Sequence, residues 1–312
     1  MASRTEDPVS DGKQNCTDRA KRNFAQKPGL ATNRVCAAAY SHPARVTIWL
    51  LALSSFVHAA ELKLETLRAW DEYIAVANAR AAARLAPDSS FLWAHENSSR
   101  FQRIQKGEML ASPVVGHGTR RIPSGLIHHW IGTVFIPSTT ISEVFAVVRS
   151  YDRYKEIFRP VTVDAKLISQ EENSDKFSLL LSKKVLFVTT TIAGEFQSTY
   201  NRVSQERWSN VSYSTRLQDV KDYGQPSERK LEPNDGSGFL WRAYSFSRYQ
   251  EQDGGVYMEF EAIVLTRDVP AIWRWLVNPI IDNLSRETIL TSLQKTRDAV
   301  RLTAKDGDSA RQ

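Results

Sequence analysis

The chain has 312 residues, of which 42% are hydrophobic, 24% charged and 10% aromatic. Eight Trp, ten Tyr and thirteen Phe suffice for a core and exclude a wholly disordered chain, and two cysteines exclude a disulfide-stapled scaffold or a structural zinc cluster. The net charge of +6, from 41 basic and 35 acidic residues, raises nucleic-acid binding as a question that turns on where the charges sit.

Residues 1–45 are polar and patternless. Val46 to Val57 is then an uncharged, largely apolar run of twelve, which fits a secretory h-region and is short of the roughly 20 apolar residues of a membrane span. Arg45 flanks it, and Val57-His58-Ala59 is a small–x–small tripeptide of the kind signal peptidase reads. A secretory signal cleaved near Ala59 is expected, with an uncleaved anchor and a buried core segment as the alternatives. The lead before the run is long for an n-region, so the start is expected downstream of Met1. A start at Val35 gives a 25-residue signal. Cys16 and Cys36 both precede the cut, so the exported chain is cysteine-free, as suits the periplasm or the exterior. The same segment carries eight of the basic and four of the acidic residues, leaving 33 and 31 in the other 253. Nucleic-acid binding is therefore not expected.

In the next segment, 60–115, Leu67, Trp70, Ile74, Ala77, Ala81 and Leu85 recur at spacings of three and four, with Tyr73 beside them. This predicts one apolar helix face ended by Pro87. A second helical turn or two spans Phe101 to Lys106 and stops at Gly107. An arm packed across the following domain is expected; a dimerisation helix and a membrane-surface helix are the alternatives. The polar face mixes Glu65, Asp71 and Glu72 with Arg68, Arg80 and Arg84, unlike the one-signed basic face that favours membranes.

The main domain, 116–303, opens with a strand from Gly125 to Ile136, ended by Pro137. Thr140 and Glu143 form a capping box for a helix that buries Ile141, Val144, Phe145 and Val148, with Tyr151 continuing the stripe. Tyr154 to Phe158 makes a further turn before Pro160. Strands follow at 163–170, 177–182, 186–202 and 208–220, then a polar loop at 221–238, then two strands, 239–252 and 256–267, around the hairpin signal Asp253-Gly254. Asp268 and Pro270 start a terminal helix through Ile272, Trp273, Trp275 and Leu276; Pro279 interrupts it, and Ser285 restarts it with Ile289, Leu293, Thr296 and Val300 on one face. Residues 304–312 read as a disordered tail. Hairpin connections argue against a parallel sheet, so the fold class is α+β: a curved antiparallel sheet gripping a long C-terminal helix, preceded by a helical arm.

Residues 124–303 resemble the helix-grip fold of the START and polyketide-cyclase superfamily, also called SRPBCC, in its exported bacterial branch without assigned activity. The resemblance rests on the Gly125–Ile136 strand, the 140–150 helix with Tyr151-Asp152-Arg153-Tyr154, the paired segments Gly238–Arg242 and Gly255–Glu261, and the close from Leu265 to Pro270 and Ser285-Arg286-Glu287. It implies a cavity between sheet and terminal helix for an apolar molecule such as a lipid, sterol, polyketide or hormone. It does not fix which, because one fold hosts many functions.

A two-residue turn at Asp253-Gly254 sets Arg248 opposite Glu259, Phe246 opposite Glu261 and Tyr244 opposite Ile263; a three-residue loop shifts every pair. Arg248–Glu259 is then expected as a cross-strand surface pair. The other face carries Trp241, Ala243, Ser245, Ser247, Tyr249, Met258, Phe260, Ala262 and Val264, aromatic and very small residues that can floor a pocket. His128 and His129 point to opposite faces, so at most one enters the cavity. No metal site and no cofactor is expected, no Gly-x-Ser-x-Gly elbow raises a nucleophile, and Gly116-His117-Gly118 lacks the context of a phosphate loop. The expected ligand contacts are His128, Trp130, Trp241, Tyr249, Met258, Phe260 and Trp273; no catalytic residue is assigned. The expected function is non-catalytic binding or transport of a hydrophobic, lipid-like molecule, which allows transient membrane contact. One alternative is a cyclase or dehydratase using His128, Arg216, Arg242 or Glu261. The other is an interaction domain with a filled core and the 60–86 helix as partner surface. Oligomeric state and ligand identity are open.

Overall fold

The computed structural model describes residues 62–185, 188–268 and 274–309. The expected signal segment and Trp273 lie outside the described residues.

The arm begins with α1 (Leu64–Ala83), which buries Thr66, Trp70, Ala77 and Ala81, one face of the predicted period. A 3₁₀ turn (Trp93–Glu96) leads to α2 (Ser98–Gln105), capped by Asn97, whose Oδ1 accepts from the Arg100 amide at 2.9 Å. Two short strands follow, β1 (Leu110–Pro113) and β2 (Thr119–Ile122). The sequence predicts neither, because four residues carry too little alternation to show. Both pair with β3 (Gly125–Pro137).

After β3 come α3 (Ile141–Val148), a 3₁₀ turn (Tyr151–Arg153) and α4 (Tyr154–Ile157). The capping box of α3 is formed: Thr140 Oγ1 accepts from the Glu143 amide at 3.3 Å, and Glu143 Oε2 accepts from the Thr140 amide at 2.8 Å. The remaining strands are β4 (Thr162–Gln170), β5 (Ser174–Val185), β6 (Val188–Arg202), β7 (Arg207–Lys221), the two-residue β8 (Arg229–Lys230), β9 (Arg242–Gln252) and β10 (Gly255–Arg267). Helix α5 (Arg274–Ser309) closes the chain. All described strand pairs are antiparallel, in the order β1-β3-β10-β9-β7-β6-β5-β4. This is the α+β helix-grip architecture, one curved sheet and a long terminal helix.

Helix α5 lies mainly across β1, β3 and β10 and against α3. On that inner face, Trp130, Val134, Tyr249, Val256 and Met258 pack with Ile289, Leu293 and Val300 of α5 and Val144 and Val148 of α3. The outer face is covered by the arm: Ile127, Phe246, Ile263 and Leu265 meet Trp70, Ala77 and Ala81 of α1, while Phe135 and Tyr257 meet Phe91, Leu92 and Ile104. Two covers explain why every residue from Gly125 to Ile136 is buried, and why that strand lacks a polar alternate.

The β9–β10 hairpin turns through Asp253 and Gly254, both at positive φ (56° and 71°), as a two-residue turn of this hand requires. Gly255 then pairs with Gln252, Met258 with Tyr249, and Glu259 with Arg248. The two-residue register holds. Pro279 does not interrupt α5, which is helical on both sides of it from Arg274 onward, although an interior proline removes the bond to the carbonyl four residues back and crowds it. The helix also continues past Thr303 to Ser309, through Gly307, where the sequence suggests a disordered tail.

Candidate functional site: the inner face of the sheet and a buried charge joint

The register of β6, β7, β9 and β10 lays small residues in rows across the inner face. One row reads Ser198, Ser212, Ser245, Ala262 and Trp130; the next reads Tyr200, Asn210, Ser247, Phe260 and Gly132. A third brings Phe196 opposite Ser214, whose Oγ accepts from the Ala243 amide at 3.0 Å. Ser212, Ser214, Ala243, Ser245 and Ala262 all remain partly exposed, as do Phe196, Phe260 and Val264 beside them, while Trp130, Tyr200, Tyr249 and Met258 are buried. A sheet face built of Ser and Ala stands lower than its aromatic borders, which is how a floor leaves space above it.

The helix is held over this face at several points. Gly132 lets it approach β3: a Cβ there would come within 2.5 Å of Ile289 Cγ2 and 3.0 Å of Leu293 Cδ1. On the far side Lys183 Nζ donates to Thr288 Oγ1 at 3.1 Å, and Lys295 Nζ donates to the Arg159 carbonyl at 2.6 Å. Helix α5 thus leans on the β1–β3–β10 side and is tethered to the β5 tip and the loop after α4.

The predicted contacts divide. Trp130, Tyr249 and Met258 come together in the core beneath α5, with Phe260 partly buried beside them. Trp130 is wedged under Gly118, where a Cβ would stand 2.1 Å from its Nε1. His128 shares the face, held by Thr119 Oγ1 at 3.2 Å and Thr266 Oγ1 at 3.0 Å. Burial pushes its pKa down to about 4, so it is neutral at pH 7. Trp241 requires a correction: it packs on the arm side with Leu62, Trp70 and Leu265. Strict alternation places it with Tyr249, but the regular strand begins at Arg242, after Gly238 at positive φ, and parity fails upstream of that point.

Arg248 and Glu259 require a second correction. They pair as predicted but not at the surface, with side chains 2% and 0% exposed. Arg248 Nη1 donates to Glu259 Oε1 at 2.8 Å and to Glu261 Oε2 at 3.2 Å. From the arm, Arg84 Nη1 donates to Glu259 Oε1 at 3.2 Å, the Trp93 amide donates to Glu259 Oε2 at 2.5 Å, and Arg80 donates to Glu261 Oε1. Glu261 Oε1 also accepts from His129 Nε2 at 2.8 Å, and His129 Nδ1 accepts from the Tyr73 hydroxyl at 2.7 Å; these donor assignments give both ring nitrogens a partner. Burial pushes the Glu261 carboxyl up, but the His129 hydrogen bond with Arg248 and Arg80 outweighs it and holds the group at about 2. Burial pushes Glu259 up against the pull of Arg248 and Arg84. Burial also lowers His129, more than Glu261 raises it.

Sequence reasoning missed this joint, although a signal exists. Tyr73, Ala77, Arg80 and Arg84 share one helix face, and Arg248, Glu259 and Glu261 share one sheet face. The members are partnered within the joint, so it holds the arm rather than a substrate. The polar residues named for a cyclase do not converge: His128 is on the inner face, Glu261 in the joint, Arg216 is exposed, and Arg242 donates to Asn234 Oδ1 at 2.8 Å. Among the described residues, no group of three or more His, Cys, Asp or Glu side chains is placed to hold a metal ion. A cleft of about 320 Å³ lies over the β4–β7 wing, with Ile168, Leu180, Glu195, Arg216 and Lys230 in its lining.

No protein-family model and no curated protein matches the chain. Among solved structures, it is similar to a STAR-related lipid transfer protein from Xanthomonas axonopodis, with 15% identity over 59% of this chain and 99% of that one and a TM-score of 0.39. It is also similar to human STARD10, with 11% identity over 68% and 83% and a TM-score of 0.38. A third likeness is to the Zhui aromatase/cyclase from Streptomyces sp. R1128, with 11% identity over 56% and 94% and a TM-score of 0.37. These are likenesses of fold.

Proposed function

We propose that the protein binds a hydrophobic, lipid-like small molecule between the inner face of the sheet and α5, and does no chemistry on it. The observation that supports this reading is the partly exposed patch of Ser212, Ser214, Ala243, Ser245 and Ala262, bordered by the partly exposed Phe196, Phe260 and Val264, on the face that α5 crosses. Ligand apolar surface buried there contributes about 25 cal/mol per Å² before the costs of association. The cyclase reading loses ground because its polar candidates lie on two faces of the sheet and at its rim. We further propose that the protein acts after export, with cleavage near Ala59.

Native mass spectrometry of protein purified from its own host tests the first part. Co-purified or readily exchanged hydrophobic ligand is the expected result; a clean apo mass with no uptake of fatty acid, sterol or polycyclic probes would overturn it. N-terminal sequencing of exported protein tests the second, and a chain retaining Trp49 would overturn cleavage.

A further inference from the structure

The arm covers the outer face of the sheet on its β3–β10–β9 side. On the β4–β7 wing, Gly194, Phe196 and Leu217 point inward: a Cβ on Gly194 would come within 2.6 Å of the Phe196 ring and 2.8 Å of Leu217 Cδ2. Their strand neighbours Ala193, Glu195, Arg216 and Gln218 therefore point outward, and they line the cleft of about 320 Å³. Toward this wing the arm reaches Tyr244, whose hydroxyl donates to Asn78 Oδ1 at 2.9 Å; no arm residue takes part in the lining. Register shifts surround the cleft, at Thr162/Asp164 and Leu167/Ser169 in β4 and at Glu195/Phe196 between β6 and β7. Bulges of this kind bend a strand and re-aim its side chains. Ile168, inside one of them, stands 54% exposed in the lining. β8 supplies the far wall, where Lys230 pairs with Val220 and Gln218 Nε2 donates to the Leu231 carbonyl at 2.7 Å.

Leu180 and Ala193, cross-strand partners on the two middle strands, give the cleft an apolar floor. Its charges are unequally used. Glu228 Oε2 accepts from the Gly224 amide at 2.8 Å, and Asp164 Oδ1 lies 4.0 Å from Lys155 Nζ. Among the described residues, the side chains of Arg216, Lys230 and Glu195 have no hydrogen bond or ion pair, although Glu195 and Arg216 are register partners. Two unpaired cations against one unpaired carboxylate leave a single positive charge, which is complementary to a monoanion. The volume stands at the small end of the roughly 300–1,000 Å³ of ligand pockets, which suits a ring or a short chain better than a long-chain lipid. We propose that this cleft is a second binding site, separate from the inner face, for a small amphipathic carboxylate. Arg216 and Lys230 hold the anion, and the apolar body lies over Leu180, Ala193 and Ile168.

The test is titration of the ¹⁵N-labelled protein with 2-naphthoate and with 2-naphthylmethylammonium, read from backbone amide shifts and repeated on the Arg216→Gln/Lys230→Gln double variant. Naphthoate is expected to shift the amides of Leu180, Ala193 and Gln218 and to bind there about tenfold tighter than the ammonium compound, with about tenfold lost in the variant. Both substituted side chains are exposed, so the variant keeps the fold, and its amide spectrum without ligand checks this. Naphthoate binding at both faces supports the proposal when only the wing shifts depend on Arg216 and Lys230. Shifts confined to inner-face strands, at Ser245 and Ala262, overturn the wing site and leave the inner-face reading standing. Equal binding of the ammonium compound, unchanged affinity in the variant, or no shifts at all also overturn it.

Discussion

Arg248 and Glu259 face each other across β9 and β10 with Nη1 2.8 Å from Oε1, sealed between the sheet and the arm. A buried pair of this kind is expensive to break from one side, because the survivor is left charged in a low-dielectric site. Arg248→Met is expected to cost about 3–5 kcal/mol. The double variant Arg248→Met/Glu259→Met is expected to regain most of that loss, since Arg84 keeps Glu96 at 3.0 Å and Glu261 keeps Arg80 and His129. Urea denaturation of the three proteins checks this; a double variant no more stable than the single would refute it.

Stability is expected to fall with acid in two stages. His128 has a folded pKa of about 4, below its ordinary 6.5, so the folded state favours the neutral ring. Its contribution is present above pH 6.5 and is lost as pH falls toward 4. Glu261, at about 2 instead of 4.5, contributes above pH 4.5 and loses that contribution as pH falls toward 2, on the order of 3 kcal/mol in all. Urea midpoints from pH 7 to 2.5 are the measurement. Glu261→Gln should flatten the lower stage and spare the upper.

The arm is expected to behave as part of the domain rather than as an appendage. Trp70 is 6% exposed, and Thr66 Oγ1 donates to the Pro123 carbonyl at 2.8 Å. Trp70→Ala should cost about 3–5 kcal/mol and shift a single unfolding transition. Separate melting of arm and sheet by circular dichroism and tryptophan fluorescence would contradict it.

Gly132 sets how closely α5 approaches the sheet. Gly132→Ala is expected to cost about 1–3 kcal/mol through the Ile289 contact. Adding Ile289→Ala should recover part of the loss, although the Leu110 carbonyl, 3.0 Å from the new methyl, still resists. A double variant whose loss equals the sum of the two single losses would show that the contact is not the cause.

The features that were legible in the sequence are those set by short-range rules. Asp253-Gly254 dictates a turn with two positive φ angles; the turn dictates the register, and the register places Ser245, Ser247, Tyr249, Met258 and Phe260 on one face. The capping box at Thr140 and the stripe of α1 are local in the same way. What sequence could not supply was the second cover. Whether Arg248 and Glu259 meet water depends on a helix more than 160 residues away in the chain, and nothing in the hairpin announces it. Trp241 was misplaced because alternation holds only within a regular strand, and that strand begins one residue later. Pro279 shows the opposite error, a local breaker overruled by helix on both sides.

The hairpin divides its labour by parity. On β9 the odd positions 243–249 lie on the inner face and the even positions carry Phe246 and Arg248 to the arm; on β10 the even positions 258–264 lie on the inner face and the odd ones carry Glu259, Glu261 and Ile263 outward. Each strand is therefore two independent alphabets interleaved in one text. Substitutions in one alphabet can reshape the inner face while the other keeps the arm attached, so that face can change without dismantling the joint that holds the chain together.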